Sequence, residues 1–328
     1  MGPHRTPTRR SHGSCICERT GGNGCASPAR KTGNETSHGD DTALRRTLSR
    51  AAKGTIRRLL PIAARKRLAV WVGRQNWIEH RYYWTLEVLR DLADRDPNAF
   101  HRFLWSHHLA YAESYDVAQR LAGDALHPTR HVFLTELQET LGQAGIAQNR
   151  IDSVLDVGAS LGYVLRHMER NVFPNATRFD GVDIDEYAVE QGAAFLARTG
   201  SRVRLHTADM SMLDEVVGAQ EYDIVLSTGT LIYLKEAESR AVIASMLRRT
   251  RRVLALSGLA HPAVDNATLT QSAVRERDGT FIHNLDAMVE AAGGRVIRRR
   301  WDGARQLDGN TIYFVFAVPG TFAKTGIA

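Results

Sequence analysis

The sequence predicts an α/β protein: a mostly parallel, seven-stranded sheet that closes with an antiparallel C-terminal strand, preceded by a helical extension. Three observations predict it. After Asn149, short β-branched runs alternate with segments of helical periodicity, the pattern of strands joined by helical crossovers. The last two strand-like runs, GRVIRRRW and NTIYFVFAV, have only a short link between them, too short for a helical crossover, so they pair antiparallel. Over 76–145, aromatic and apolar residues recur three and four apart, which predicts several helices.

In chain order, residues 1–42 are rich in Gly, Ser, Thr, Arg and His with few large apolar side chains. They cannot bury enough surface to offset chain entropy, and are expected to be a disordered basic leader. From Ala43 to Val70, Leu44, Leu48, Ile56, Leu59, Ile62 and Leu68 recur at helical intervals among arginines, with Pro61 breaking the run. This predicts a basic amphipathic stretch able to lie on an anionic membrane surface, or to pack as an ordinary helix with a basic solvated face. Pro97 and Pro128 mark helix boundaries in the part that follows. Strands are expected at 153–157, 178–184, 202–206, 222–227 and 252–257, then at the two closing runs. The expected organisation is a leader at 1–42, a helical extension or lid at 43–145, a sheet domain at 146–320 and a tail at 321–328.

Charge narrows the partners. Residues 1–60 hold 12 Lys/Arg and 4 Asp/Glu, while the remaining 31 basic and 32 acidic residues nearly cancel. The excess of +7 therefore belongs to the leader and first helix rather than to the folded part, which argues against a large nucleic-acid footprint. Cys15, Cys17 and Cys25 lie beside His4, His12 and His38, but C-x-C-x7-C matches no zinc-site spacing and no apolar core surrounds it, so no metal is expected. No apolar run approaches the ~20 residues of a membrane span, and the basic start lacks the apolar segment of a secretory signal. The expected location is cytoplasmic, with peripheral membrane contact through 43–70 as an added possibility.

The chemistry concentrates at predicted strand ends. In open parallel sheets, ligands bind beyond the carboxyl ends of the strands where strand order reverses. Asp156 to Gly162, DVGASLG, fills the turn after the first strand. There Gly158 permits a sharp turn and close ligand approach, and Gly162 permits tight packing at the helix start. Asp183 ends the second strand, 25 residues after Gly158, where a carboxylate can accept from ribose hydroxyls. Asp185 reads as the cap of the next helix. Structural roles remain open for the other motifs: Asp209 as a helix cap, and 227–230 as a polar loop.

VLDVGASLGY, GVDID, HTADM and YDIVLSTGTLIYL follow one another with the content and spacing of class I, Rossmann-like S-adenosylmethionine-dependent methyltransferases, which this chain resembles over about 150–318. The resemblance implies that Asp156, Gly158, Ala159 and Gly162 hold the methionine part of S-adenosyl-L-methionine, with Ser160 near its carboxylate. It further implies Asp183 at the ribose, Ile184 as an apolar wall, and Asp209 with Met210 at the adenine amino group and ring face. Ser227, Thr228 and Gly229 would lie beside the sulfonium. Ser160 departs from the family, many members of which have glycine there. The closing hairpin also fits the family, whereas a nicotinamide dehydrogenase usually ends in a parallel strand.

Methyl transfer is an in-line displacement that mainly needs alignment of the acceptor; a hydroxyl acceptor needs a base as well. His261 in GLAHP, His283 in GTFIHN and Tyr233 in LIYL are the candidates, and a packed or exposed side chain is the alternative for each. Trp105, His108, Tyr111, Glu113 and Tyr115 are candidate lid residues, with core packing the favoured reading for Trp105. STGT at 227–230 lacks the N/D-P-P-Y/F pattern of enzymes that methylate exposed amino groups of bases or glutamine. The expected acceptor is a small molecule, a sugar or a lipid-linked glycan. Two other readings are a catalytically silent cofactor-binding scaffold and an NAD-dependent oxidoreductase.

Overall fold

The computed structural model describes residues 55–75, 81–110, 121, 126–276, 278–307 and 310–322. The leader with its cysteines, and Tyr111, Glu113 and Tyr115, lie outside the described residues.

The sheet is centred on two adjacent parallel strands. β1 (Ser153–Val157) and β4 (Tyr222–Thr228) are buried along their whole length, as expected of parallel strands covered on both faces. β1 pairs in parallel with β2 (Arg178–Asp183), β2 with β3 (Val203–Thr207), and β4 with β5 (Thr250–Gly258). The hairpin of β8 (Gly294–Leu307) and β9 (Asn310–Pro319) then adds to β5 through β9, which runs antiparallel to both neighbours. The order is β3-β2-β1-β4-β5-β9-β8. It reverses between β1 and β4, the place where such sheets bind ligands. The two strands predicted to pair antiparallel do so. A further two-stranded hairpin, β6 (Ala273–Arg275) with β7 (Thr280–Ile282), has no counterpart among the predicted strands. At three residues each, its strands are too short to show an alternation.

Side chains alternate across the strands and build two cores. On one face Val154, Phe179, Ile224, Phe314 and Phe316 pack against Phe133, Leu134, Leu137 and Leu141 of α5 (Pro128–Gln143). On the other face Leu155, Val225, Leu254 and Leu256 meet Val242, Ile243 and Met246 of α9 (Glu236–Arg248) and Leu285, Met288 and Val289 of α10 (Leu285–Ala291). Between strands lie α6 (Tyr163–His167), α7 (Glu186–Arg198) and α8 (Leu213–Val217). Asp185 caps α7, accepting from the Ala188 N–H at 3.0 Å.

The extension is helical: α1 (Ile62–Gly73), α2 (Arg81–Val88), α3 (Arg90–Arg95) and α4 (Pro97–Ser106) gather around Ala69, Leu89, Phe100, Phe103 and Leu104. Pro61 immediately precedes α1. The basic stretch is not solvated throughout, because Arg65 is buried and donates to the Val88 carbonyl at 2.9 Å and to Asp91 Oδ2 at 2.8 Å. α4 starts where Asp96 accepts from the Ala99 N–H at 3.2 Å and Pro97 occupies the first turn, both favourable at a helix N-terminus. Lys235, 2.8 Å from Asp96, ties this end to the segment before α9. Extension and sheet lie in one compact unit, residues 49–328. Among the described residues, no helix is long and apolar enough to cross a membrane.

Candidate active site

A cavity of about 340 Å³ opens at the carboxyl ends of β1, β2 and β4, within the size range of small-molecule sites. Of the twelve residues assigned to the cofactor from sequence, ten line it: Asp156, Gly158, Ala159, Ser160, Asp183, Ile184, Asp209, Met210, Thr228 and Gly229.

The turn after β1 is built from backbone strain and buried carboxylates. Gly158 has φ +91°, and a Cβ there would fall 2.1 Å from Thr230 Oγ1. Ser160 also sits in the left-handed region, at φ +50°, where a non-glycine residue is strained. Its N–H donates to Asp183 Oδ2 at 2.7 Å, and the Asp185 N–H donates to Asp183 Oδ1 at 2.9 Å. Burial pushes the Asp183 carboxyl up to about 6, against the pull of these two donors. Asp156 is 1 % exposed, and its Oδ1 has no hydrogen-bond partner. Burial raises its pKa to about 7, with the Arg130 charge opposing. Arg130, in the first turn of α5, donates to the Thr228 carbonyl at 2.9 Å.

Two residues assigned to the cofactor do not reach the cavity. Gly162, at φ +76°, precedes α6 and packs toward Leu196 and Leu205. Ser227 is fully buried and donates to the Val157 carbonyl at 2.8 Å, bridging β4 to β1. Asp209 reaches the cavity but carries other bonds: Arg102 Nε lies 2.7 Å from its Oδ2, and the Ser211 N–H donates to its Oδ1 at 2.9 Å.

The three candidate bases separate. Tyr233 lines the cavity, its ring 5.0 Å from His101 and 5.3 Å from Trp105. His261 does not line it. Its Nδ1 accepts from the Ala263 and Val264 N–H groups at 3.2 Å, folding the ring into its own turn. Nor does the buried His283, whose Nδ1 lies 2.7 Å from Ser272 Oγ and whose Nε2 lies 3.1 Å from both Ser239 Oγ and the Leu231 carbonyl. Burial holds its pKa below the usual histidine value. Of the three candidates, the structure thus brings only Tyr233 to the cavity wall, while His261 Nδ1 is taken by its own turn and both ring nitrogens of His283 have partners elsewhere.

α4 supplies residues that strand-end motifs do not reveal. Asn98, Arg102 and Trp105 line the cavity, and their spacing of four and three places them on one helical face. Trp105 therefore lines the cavity as well as packing against the extension core. His108 does not line it; its Nδ1 lies 2.7 Å from Asp185 Oδ2, linking the extension to α7. Arg130 gives no local sequence signal, because its role depends on how α5 docks on the sheet.

These groups suit S-adenosylmethionine. Asp156 Oδ1 and Arg130 offer opposite charges for a zwitterionic amino acid, and Asp183 suits a diol. Val182, Ile184, Ala208 and Met210 provide apolar walls for a base.

Sheet order and site define a nucleotide-binding α/β enzyme of the type that works at a strand-order reversal. Residues 154–254 match the family model described as a methyltransferase domain. No curated protein matches the chain. Among solved structures, the chain is similar to magnesium protoporphyrin IX methyltransferase from Synechocystis PCC 6803 with bound S-adenosylmethionine, at 17 % identity over 68 % of this chain and 97 % of that one, TM-score 0.47. It is similar also to 1,6-didemethyltoxoflavin-N1-methyltransferase from Burkholderia thailandensis, at 18 % identity over 67 % and 89 %, TM-score 0.46. A third is an amino pentose methyltransferase from Micromonospora echinaspora, at 20 % identity over 62 % and 96 %, TM-score 0.43. The stretch that matches the methyltransferase domain model runs from β1 into β5, and so carries the strand ends that frame the cavity.

Proposed function

We propose that the chain methylates a small-molecule acceptor, a sugar or a lipid-linked glycan among them. One observation carries this reading: α4 walls the cavity with Trp105 and Asn98 while Tyr233 faces it from the β4 side. A cavity of about 340 Å³ enclosed this way suits a cofactor and a compact acceptor group rather than a folded macromolecule.

The bound cofactor supplies an electrophilic methyl group on a sulfonium. The chain's residues then bind, align and exclude water. Asp156 and Arg130 would hold the amino and carboxylate ends of the methionine part, and Asp183 the ribose. Thr228, Gly229 and Thr230 would border the reacting centre, and Trp105 and Tyr233 would shield it. Tyr233 is the hydroxyl best placed to take or relay a proton from the acceptor.

The test is calorimetric titration with S-adenosylmethionine, its demethylated product and NAD, followed by methyl-transfer assays. The acceptors would be a panel of sugars, phenols, amines and lipid-linked glycans, with RNA and protein alongside. Binding of the first two ligands and methylation within the small-molecule set is the expected outcome. Transfer to RNA or protein alone would refute the acceptor class, and binding of NAD alone the whole reading.

Peripheral membrane contact is a second reading for the basic stretch, supported by Leu59 at 74 % and Trp71 at 53 % exposure beside Arg58 and Arg67. Such a pairing of apolar and cationic side chains suits anionic lipid. Sedimentation with phosphatidylserine vesicles tests it; equal recovery with neutral vesicles would exclude it.

A further inference from the structure

Among the described residues lining the cavity, two buried acceptor atoms have no hydrogen-bond partner: Asp156 Oδ1 and Asn98 Oδ1. Asp156 sits at the end of β1 beside the glycine turn. Asn98 stands elsewhere, in the first turn of α4, 5 % exposed. Its Nδ2 donates to Glu238 Oε2 at 2.8 Å. A carboxylate only accepts, so this bond fixes the amide orientation and leaves Oδ1 as the acceptor. A desolvated amide oxygen without a partner is unfavourable until a ligand donor meets it.

The neighbours of Asn98 show which part of the ligand it faces. One turn along α4, Arg102 binds Asp209 and approaches Glu238 at 3.7 Å. Asn98, Glu238, Arg102 and Asp209 therefore form one cluster at the cavity edge next to Met210. This is the side on which the family resemblance puts the adenine amino group. It gives that group to Asp209, yet here both oxygens of Asp209 are engaged, by Arg102 and by the Ser211 N–H.

We propose that Asn98 Oδ1, oriented by Glu238, accepts the hydrogen bond from the purine 6-amino group of the cofactor, while Asp209 is held by Arg102. The inference rests on the S-adenosylmethionine reading. It makes the helical extension part of cofactor selection rather than only a cover. Glu238 is then a positioning residue, acting through the amide it orients.

The experiment compares S-adenosylhomocysteine with S-inosylhomocysteine, in which a carbonyl replaces the amino group. Opposite Asn98 Oδ1 that carbonyl both loses the donor and sets two acceptors together. Calorimetry on the wild type should give a preference for the adenine compound of about tenfold or more. Asn98→Ala should reduce it below about threefold, while Asp209→Asn keeps it near the wild-type ratio. Glu238→Gln, whose amide can donate or accept, should fall between and gives a reading even where Asn98→Ala binds too weakly to measure. Retention of the full preference in Asn98→Ala, or its loss only in Asp209→Asn, overturns the proposal. Failure of the wild type to bind either compound would instead overturn the cofactor reading on which it rests.

Discussion

The backbone N–H of Ser160 donates to Asp183 Oδ2 at 2.7 Å, so the turn after β1 is closed by the carboxylate that ends β2. One side chain thereby shapes the glycine turn and faces the cavity. Asp183→Ala should weaken S-adenosylmethionine binding by about 1–3 kcal/mol, through lost charge-assisted hydrogen bonds and a loosened turn. Calorimetry on a folded mutant measures this, and unchanged affinity would remove Asp183 from the ribose.

Ser160 gives a prediction of opposite sign. At φ +50° it occupies a conformation that costs a non-glycine residue about 1–2 kcal/mol. Glycine adopts this left-handed conformation without that cost. Ser160→Gly should raise unfolding free energy by up to about 1 kcal/mol, the relief of strain being partly offset by the greater freedom of glycine in the unfolded chain. Urea denaturation followed by circular dichroism would show the shift; a destabilised variant would mean that the Ser160 side chain contributes more than its backbone costs.

At Gly158 strain and crowding act together. An added Cβ at φ +91° would meet Thr230 at 2.1 Å from Oγ1 and 2.6 Å from Cγ2. Gly158→Ala should cost more than about 2 kcal/mol. Adding Thr230→Ala should recover only part, since the clash is relieved and the φ is not. Full recovery in the double mutant would show that crowding alone restricts this position.

Strand texture made the sheet readable, since β1, β4 and β5 are short apolar runs ending in glycine or polar turns, and the link between β8 and β9 is too short to cross over. Asp183 was readable because its spacing from Gly158 follows directly from one strand–helix–strand unit. Asn98, Arg102 and Arg130 were not, since each reaches the cavity through the docking of an added helix, which depends on distant surfaces rather than local spacing. His261 and His283 stand on segments that follow the strand ends, but whether their rings reach the cavity depends on local turns and buried hydroxyls, and here these hold the rings outside its lining. Ser227 stands at the expected strand end, yet the alternation of side chains along β4 turns its hydroxyl to Val157.

The buried carboxyls predict a pH dependence. Burial raises Asp156 to about 7 and Asp183 to about 6, both above the ordinary carboxylate value. The folded state therefore binds these protons more tightly than the unfolded one. The stability linked to them is fully present below about pH 4 and is lost as pH rises to about 7. A cationic ligand amine near Asp156 favours the ionised form, so cofactor affinity should change the other way, rising by up to about tenfold per pH unit below pH 7 and levelling above it. Calorimetry in buffers of different ionisation enthalpy should register proton release near neutrality. Asp156→Asn should flatten the profile, and an equally steep profile in that mutant would assign the proton elsewhere.

The separation of Tyr233 from His283 can be tested by splitting stability from turnover. Both nitrogens of His283 are engaged by Ser272, Ser239 and the Leu231 carbonyl. His283→Ala should therefore destabilise the fold by about 2–4 kcal/mol, through lost packing and buried polar groups left without a partner. The pH profile of kcat in the folded fraction should stay the same. Tyr233→Phe keeps the ring contacts with His101 and Trp105 and removes only the hydroxyl. With an ionisable acceptor it should lower kcat by about 10²-fold or more, with little change in thermal midpoint or cofactor affinity. The opposite pattern, a stable His283→Ala with a shifted pH profile and an unaffected Tyr233→Phe, would return the proton transfer to the histidine.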